Sequence, residues 1–159
     1  MKSSFKKNII KNLDSLNKIL EDEKFNKLFD ELVNISVNTL KNGGSIYIAG
    51  NGGSASQADH FAGELVGRFF IEGDSLKVFS LNANSAIITC IANDFSYDEI
   101  FSQQLTGQIS KDDLFIGLST SGNSKNIINA INICNKKGSK TVLITGDSNV
   151  SISSDDNFI

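Results

Sequence analysis

The 159-residue sequence contains no proline, two cysteines and a single histidine, and its charge does not lean to the basic side. No stretch is long and apolar enough to span a bilayer, so a membrane-embedded function is not expected. Cys90 and Cys134 both fall in apolar helical stretches, and they read as small core residues in a reducing compartment rather than a disulfide or a ligand pair. The basic start, Met1-Lys2-Ser3-Ser4-Phe5-Lys6-Lys7, is not followed by the apolar core of a signal peptide, so the cytoplasm is the expected location. The formal net charge is −3 with both signs intermixed, which gives no electrostatic footprint for nucleic acid. No basic helix-turn-helix segment is present either, and the pairs Lys6-Lys7 and Lys136-Lys137 read as solvated faces. The lack of proline carries no functional reading.

What is present suffices for a folded domain. Apolar residues make up 40% and charged residues 21%, the balance of a globular chain, and the length suggests one domain spanning residues 1–159. Ile9, Leu13, Leu16 and Leu20 recur at helical spacing over residues 4–20. Phe25, Leu28, Phe29, Leu32, Val33, Ile35, Val37 and Leu40 predict a second helix, stopped by Asn42-Gly43-Gly44. These helices, residues 1–42, precede an α/β core over 43–159, and their apolar faces are expected to cover the sheet or another subunit. Strand-like runs at 45–49, 77–81, 113–118 and 140–144 alternate with helix-like runs at 54–67, 85–92, 98–108 and 124–137. That alternation predicts a mostly parallel sheet with helices on both faces. Gly138 follows Lys136-Lys137 where a C-cap glycine belongs.

Two loops draw attention because both fall at strand carboxyl ends, where ligands of such sheets bind. The first, Gly50-Asn51-Gly52-Gly53-Ser54, opens into a helix that carries the only histidine. Glycines let backbone approach a ligand, and a helix N-terminus favours an anion. His60 and Glu64 are four residues apart and share one face of that helix. From the residues alone, the pair reads as a helix-face hydrogen bond as readily as a metal-ligand pair. The second loop, Ser119-Thr120-Ser121-Gly122-Asn123-Ser124, offers hydroxyls and backbone N–H groups to phosphate oxygens, and Ser124 is expected to cap the next helix. Asn93-Asp94 reads from its position as a cap or turn as readily as a site. Arg68 reads as a structural pairing residue, and Phe69-Phe70 as core or oligomer contact.

Taken together with Asn93-Asp94-Phe95, Ile100-Phe101-Ser102 and the run from His60 to Arg68, these loops resemble the sugar-isomerase (SIS) domain family, in the order and spacing of its motifs. The resemblance covers the N-terminal helices to about residue 146. It implies a three-layer αβα fold and a homotetramer with active sites shared between subunits. It further implies isomerisation of sedoheptulose 7-phosphate to D-glycero-D-manno-heptose 7-phosphate, toward the heptose of lipopolysaccharide or a related surface glycan.

By the same resemblance, Asn51, Gly52, Gly53, Glu64, Asn93 and Asp94 contact the sugar, and Ser119, Thr120, Ser121 and Ser124 hold its phosphate. His60 and Glu64 become zinc ligands, and Glu64 also becomes the catalytic acid/base. The resemblance places the remaining zinc ligands, a glutamine and a histidine eight residues later, on a C-terminal helix that these residues do not reach. The expected catalytic set is therefore incomplete within them. The alternative is a catalytically impaired SIS domain that binds sugar phosphate or a protein, of the replication-initiator-associating type.

Overall fold

A computed structural model describes residues 2–67 and 73–146. Arg68, Phe69 and Phe70, and the closing segment from Asp147 onward, lie outside the described residues. The chain divides into two units, Met1–Ile35 and Ser36–Ile159.

The first unit is helical. α1 runs Lys2–Glu21 and α2 runs Glu23–Lys41, so one residue separates them. That residue, Asp22, starts α2: its Oδ1 accepts the Phe25 N–H at 3.0 Å, satisfying a donor the helix itself leaves open. The Asn26 side chain donates to the Leu20 carbonyl at 3.2 Å and closes the corner from the other side. The predicted stripe Ile9, Leu13, Leu16 and Leu20 is real, and each of these residues remains exposed.

The second unit holds a four-stranded, all-parallel sheet in the order β2-β1-β3-β4, with β1 at Ile46–Gly50, β2 at Val78–Ser80, β3 at Leu114–Leu118 and β4 at Lys140–Ile144. The register sets Ile46 beside Val78 and Leu114, so Ile46, Ile48, Leu114, Ile116 and Val142 share one buried face. The alternate residues Tyr47, Ala49, Phe115 and Leu143 share the other. Both faces are apolar, as a parallel sheet covered on two sides requires.

The connections follow α3 (Gly53–Val66), α4 (Ser85–Asp94), a 3-10 turn (Tyr97–Glu99), α5 (Ser102–Gln108) and α6 (Lys125–Lys137). The β1–α3–β2 crossover steps one way along the sheet and β3–α6–β4 steps the other. Right-handed crossovers therefore place α3 and α6 on opposite faces. α3 turns Ala58 and Ala62 inward. α6 buries Ile127, Ala130, Ile131 and Cys134 together with Phe101 and Leu105.

Two local expectations are corrected and a third stands. The helical run 98–108 is broken: Ile100 and Phe101 are both buried, and the chain turns at them so that two consecutive side chains enter the core. Ser102 then bonds Glu99 through both the carboxylate and the backbone carbonyl, which sets the corner. Cys134 is a core residue, as expected, but Cys90 is exposed on α4 and not in the core, because that helix buries no residue fully. The cap at Gly138 stands as predicted. It adopts the left-handed conformation (φ 75°, ψ 14°) and its N–H reaches the carbonyls of Asn135 and Cys134.

Candidate functional site

The strand order fixes where a ligand would bind. From β1 the chain moves to one side, returns, and passes to β3 on the other, so the direction of winding reverses between β1 and β3. A crevice opens outside the carboxyl ends of strands at such a point. Gly50 and Leu118, the last residues of β1 and β3, are register partners. The turn at residues 50–53 and the loop at residues 119–124 therefore leave the sheet side by side.

The first bank of the crevice is built on Gly50. Its N–H donates to Asn82 Oδ1 at 3.0 Å, and its carbonyl accepts from Asn82 Nδ2 at 2.9 Å, so one carboxamide pins both sides of the glycine. Gly52 follows with φ +58°, a conformation an L side chain adopts only with strain. α3 begins at once, with no side chain capping it. A 14-residue helix thus presents its positive end at the crevice without a resident partner from a cap side chain.

Asn51 is the polar centre of this bank. Its Nδ2 donates to Asn126 Oδ1 at 2.9 Å, and its Oδ1 accepts from Asn126 Nδ2 at 2.9 Å. The Tyr97 hydroxyl also donates to Asn51 Oδ1 at 2.9 Å. Asn51 is half-buried, whereas Asn126 is only 2% exposed.

The second bank is the 119–124 loop. Ser119 is buried, and its N–H bonds the Ile144 carbonyl at 3.1 Å. The Thr120 carbonyl accepts from the Gly146 N–H at 3.2 Å, so the loop is braced from the exit of β4. Thr120 and Ser121 are exposed, leaving their side chains at the surface of the loop. Ser124 occupies the N-cap position of α6, as the sequence suggested, but its hydroxyl does not cap the helix. It pairs with the Ser119 hydroxyl at 2.9 Å instead, because the turn brings residues five apart face to face. The first-turn N–H groups of α6 thus receive no bond from that side chain and face the same crevice as those of α3. Two helix N-termini and a row of hydroxyls can offer donors to an anion without an arginine.

The other sequence candidates are distributed differently. Asn93 and Asp94 end α4, both exposed, and Asn93 Nδ2 donates to Asp94 Oδ1 at 2.9 Å. Tyr97, three residues on, reaches Asn51, so this turn borders the crevice. His60 Nε2 and Glu64 Oε1 are 3.8 Å apart. They lie about half a helical turn from the buried Ala58 and Ala62, so they point away from the sheet, and their side chains are 78% and 35% exposed. Neither joins the hydrogen-bonded group around Asn51. An imidazole nitrogen and a carboxylate oxygen are suitable zinc donors, yet a catalytic zinc usually takes three protein ligands. Among the described residues no group of three or more His, Cys, Asp and Glu is placed to hold a metal. The pair fits as part of a zinc site and not as a whole one.

Asn126, Tyr97 and Asn82 were not singled out from the sequence. Asn126 did carry a signal: it continues the buried stripe of Ile127, Ala130, Ile131 and Cys134, and a polar residue in such a stripe must be bonded. Tyr97 and Asn82 carried none, since their partners are 46 and 32 residues away.

Comparison with known proteins shows the family. The SIS domain family matches residues 9–146. A phosphoheptose isomerase from Aneurinibacillus thermoaerophilus is 40% identical over 146 residues, covering 92% of this chain and 74% of that protein. One from Aliarcobacter butzleri is 41% identical over 146 residues, covering 92% and 76%. The structure of phosphoheptose isomerase GmhA from Neisseria gonorrhoeae superposes with a TM-score of 0.77 at 29% identity, covering 89% of this chain and 75% of that one.

Proposed function

As the chain belongs to the SIS-domain family, and within it to the phosphoheptose isomerases, we propose that it isomerises sedoheptulose 7-phosphate to D-glycero-D-manno-heptose 7-phosphate, toward the heptose of lipopolysaccharide or a related surface glycan. The observation that carries this reading is the crevice itself. Two helix N-termini and the 119–124 hydroxyl loop offer a phosphate site, with an ordered carboxamide, Asn51, on the facing bank.

Aldose–ketose isomerisation shifts a proton between neighbouring carbons through an enediol. It needs a base at the C–H, a proton donor at the carbonyl oxygen, and stabilisation of the oxyanion that develops. In this reading Ser119, Thr120, Ser121 and Ser124 fix the phosphate end. Binding there aligns the reacting carbons near Asn51, Gly52 and Gly53, with Asn93 and Asp94 at the border. Glu64, on the outward face of α3, is the proton-moving group of a site that a neighbouring copy completes. His60 and Glu64 are two of the ligands of a zinc ion, which when bound polarises sugar oxygens.

The exposed face of α3 and the exposed apolar stripe of α1 support assembly into a homotetramer, in which a neighbouring copy completes the site. Among the described residues no helix is long and apolar enough to cross a membrane, in keeping with an enzyme acting in the cytoplasm. A binding module without catalysis is not needed to account for any of these features.

The test is turnover of sedoheptulose 7-phosphate by this chain, with and without zinc, beside a titration of binding. Zinc-dependent turnover supports the whole reading. Binding without turnover supports the phosphate site and removes catalysis by these residues. The absence of both binding and turnover refutes the proposal.

A further inference from the structure

The pair formed by Asn51 and Asn126 is unusual in being closed on itself. A lone carboxamide at the mouth of a crevice can rotate by 180° and exchange its oxygen for its nitrogen, so it offers a ligand no fixed donor or acceptor. Here two carboxamides are joined head to tail by two bonds of 2.9 Å. Asn126 is 2% exposed and belongs to the rigid first turn of α6, next to the fully buried Ile127. Asn51 is half-buried and is the member that reaches the crevice. The Tyr97 hydroxyl then donates to Asn51 Oδ1, the oxygen that already accepts from Asn126. Turning either carboxamide alone would set oxygen against oxygen and nitrogen against nitrogen, and the Tyr97 hydroxyl, as the donor, selects the arrangement with the Asn51 oxygen on its side.

We propose that Asn126 is a positioning residue: it holds the carboxamide of Asn51 in one orientation, so that the remaining N–H of Asn51 always faces the crevice as a donor toward a sugar oxygen. Asn126 itself is buried and touches no substrate. The energetic logic is that of preorganisation: a donor already fixed before the reaction requires no reorientation as oxyanion charge develops. The inference rests on the isomerase reading for its catalytic consequence, and on the structure alone for the orientation.

Three substitutions separate positioning from simple support. Asn126→Ala removes both bonds. Asn126→Asp keeps the shape. Its introduced carboxyl, when protonated, can donate to Asn51 Oδ1 and accept from Nδ2, restoring both bonds. When ionised it can only accept, and it sets a negative charge against Asn51 Oδ1. Burial favours the protonated form and so widens the range in which it is neutral. Tyr97→Phe removes only the third bond. The titratable group bonded to the pair is the Tyr97 hydroxyl, while the neighbouring Lys125 ammonium is 3.8 Å from the Asp98 carboxylate.

Steady-state kinetics on sedoheptulose 7-phosphate should show Asn126→Ala with kcat reduced on the order of 10–100-fold, the scale of a small misplacement in an active site. KM should change less, since the 119–124 loop is untouched. Asn126→Asp should recover activity at the acid end of the range and lose it as pH rises, on a limb the parent lacks. Tyr97→Phe should lie between parent and Asn126→Ala. A parallel arm needs no substrate: in the ¹⁵N-labelled protein, the two side-chain N–H signals of Asn51 should be shifted from those of an exposed carboxamide and slow to exchange with water. In Asn126→Ala both should move toward exposed-carboxamide positions and exchange faster, as rotation about Cβ–Cγ becomes free.

Parent-like kcat in Asn126→Ala with unchanged Asn51 signals overturns the inference. So does a loss in Asn126→Asp that is the same at every pH, which marks structural support only. If the parent chain turns over no sedoheptulose 7-phosphate, the isomerase reading is what fails, and the Asn51 signals alone decide the positioning.

Discussion

Gly117 provides a quantitative test of how α6 is seated. It lies in β3, one residue before Leu118 and two before the loop, and it faces the core side of α6. A Cβ added there would come 2.7 Å from Ile127 Cγ2, while its next neighbours, Leu143 Cδ1 and Phe115 Cε1, would be at 3.5 Å. Ordinary contact begins near 3.4 Å, so Ile127 alone is about 0.7 Å too close. Overpacking of this kind costs about 1–3 kcal/mol. Replacing glycine also restricts the unfolded chain, which returns about 0.4–1 kcal/mol. The net expectation for Gly117→Ala is a loss of about 1–2 kcal/mol.

Ile127→Ala by itself should cost about 2–5 kcal/mol through the cavity it leaves. In that background the obstructing methyl is gone and the two remaining neighbours are at comfortable distance. Gly117→Ala should then stabilise by a few tenths to about 1 kcal/mol. The measurement is a urea-denaturation cycle on the parent, both single variants and the double variant. Reversal of sign between backgrounds, a coupling of about 2 kcal/mol, is the expected result. Equal destabilisation in both backgrounds would refute the argument that Ile127 is what requires glycine here.

Thr120→Ala and Ser121→Ala should each weaken sugar-phosphate binding in a calorimetric titration while the melting temperature stays within a degree or two, since both side chains are exposed; unchanged affinity in both would remove the loop from the site. Asn82→Leu should destabilise by about 1–3 kcal/mol in denaturant melts, because it leaves the Gly50 peptide groups without their partner. His60→Ala should leave phosphate binding intact and reduce zinc uptake, measured by metal analysis after dialysis; equal zinc in both proteins would remove His60 as a ligand. The two thiols should differ sharply toward a maleimide. Cys90 is exposed, with its thiol pushed up chiefly by its hydrogen bond to Asp94, and it should react in the native protein, faster in Asp94→Asn. Cys134, pushed up by burial to about 12 from an ordinary 9.0, should react only on unfolding. Its raised value favours the folded state fully below pH 9, and that contribution is lost as pH climbs toward 12, so stability should fall along this limb and flatten in Cys134→Ala.

Much of the fold was legible because its signals are local. The four strands announce themselves as short apolar runs, and Gly138 marks the end of α6 within a residue. The α5 region was misread as one helix because its periodicity continues through Ile100 and Phe101, whereas the corner there is made by Ser102 folding back on Glu99. The 119–124 loop was legible as composition, but the Ser119–Ser124 hydroxyl pair depends on the turn between them. Asn82 and Tyr97 could not be found from the sequence, since nothing nearby says that one will clasp Gly50 and the other reach Asn51. His60 and Glu64 were legible as a pair, but their placement on the outward face of α3 follows from Ala58 and Ala62 being the inward ones.

The β1–β3 pairing also has a kinetic meaning. The bond from Asn51 to Asn126 closes a loop of 75 residues, whereas β3, α6 and β4 are continuous in the chain and can dock with far less closure. A folding intermediate could therefore hold the 119–124 loop well formed and still have no crevice, because the opposite bank arrives only with β1. Ligand binding should follow the slow, non-local step, so that recovery of affinity during refolding reports on β1 docking rather than on helix formation.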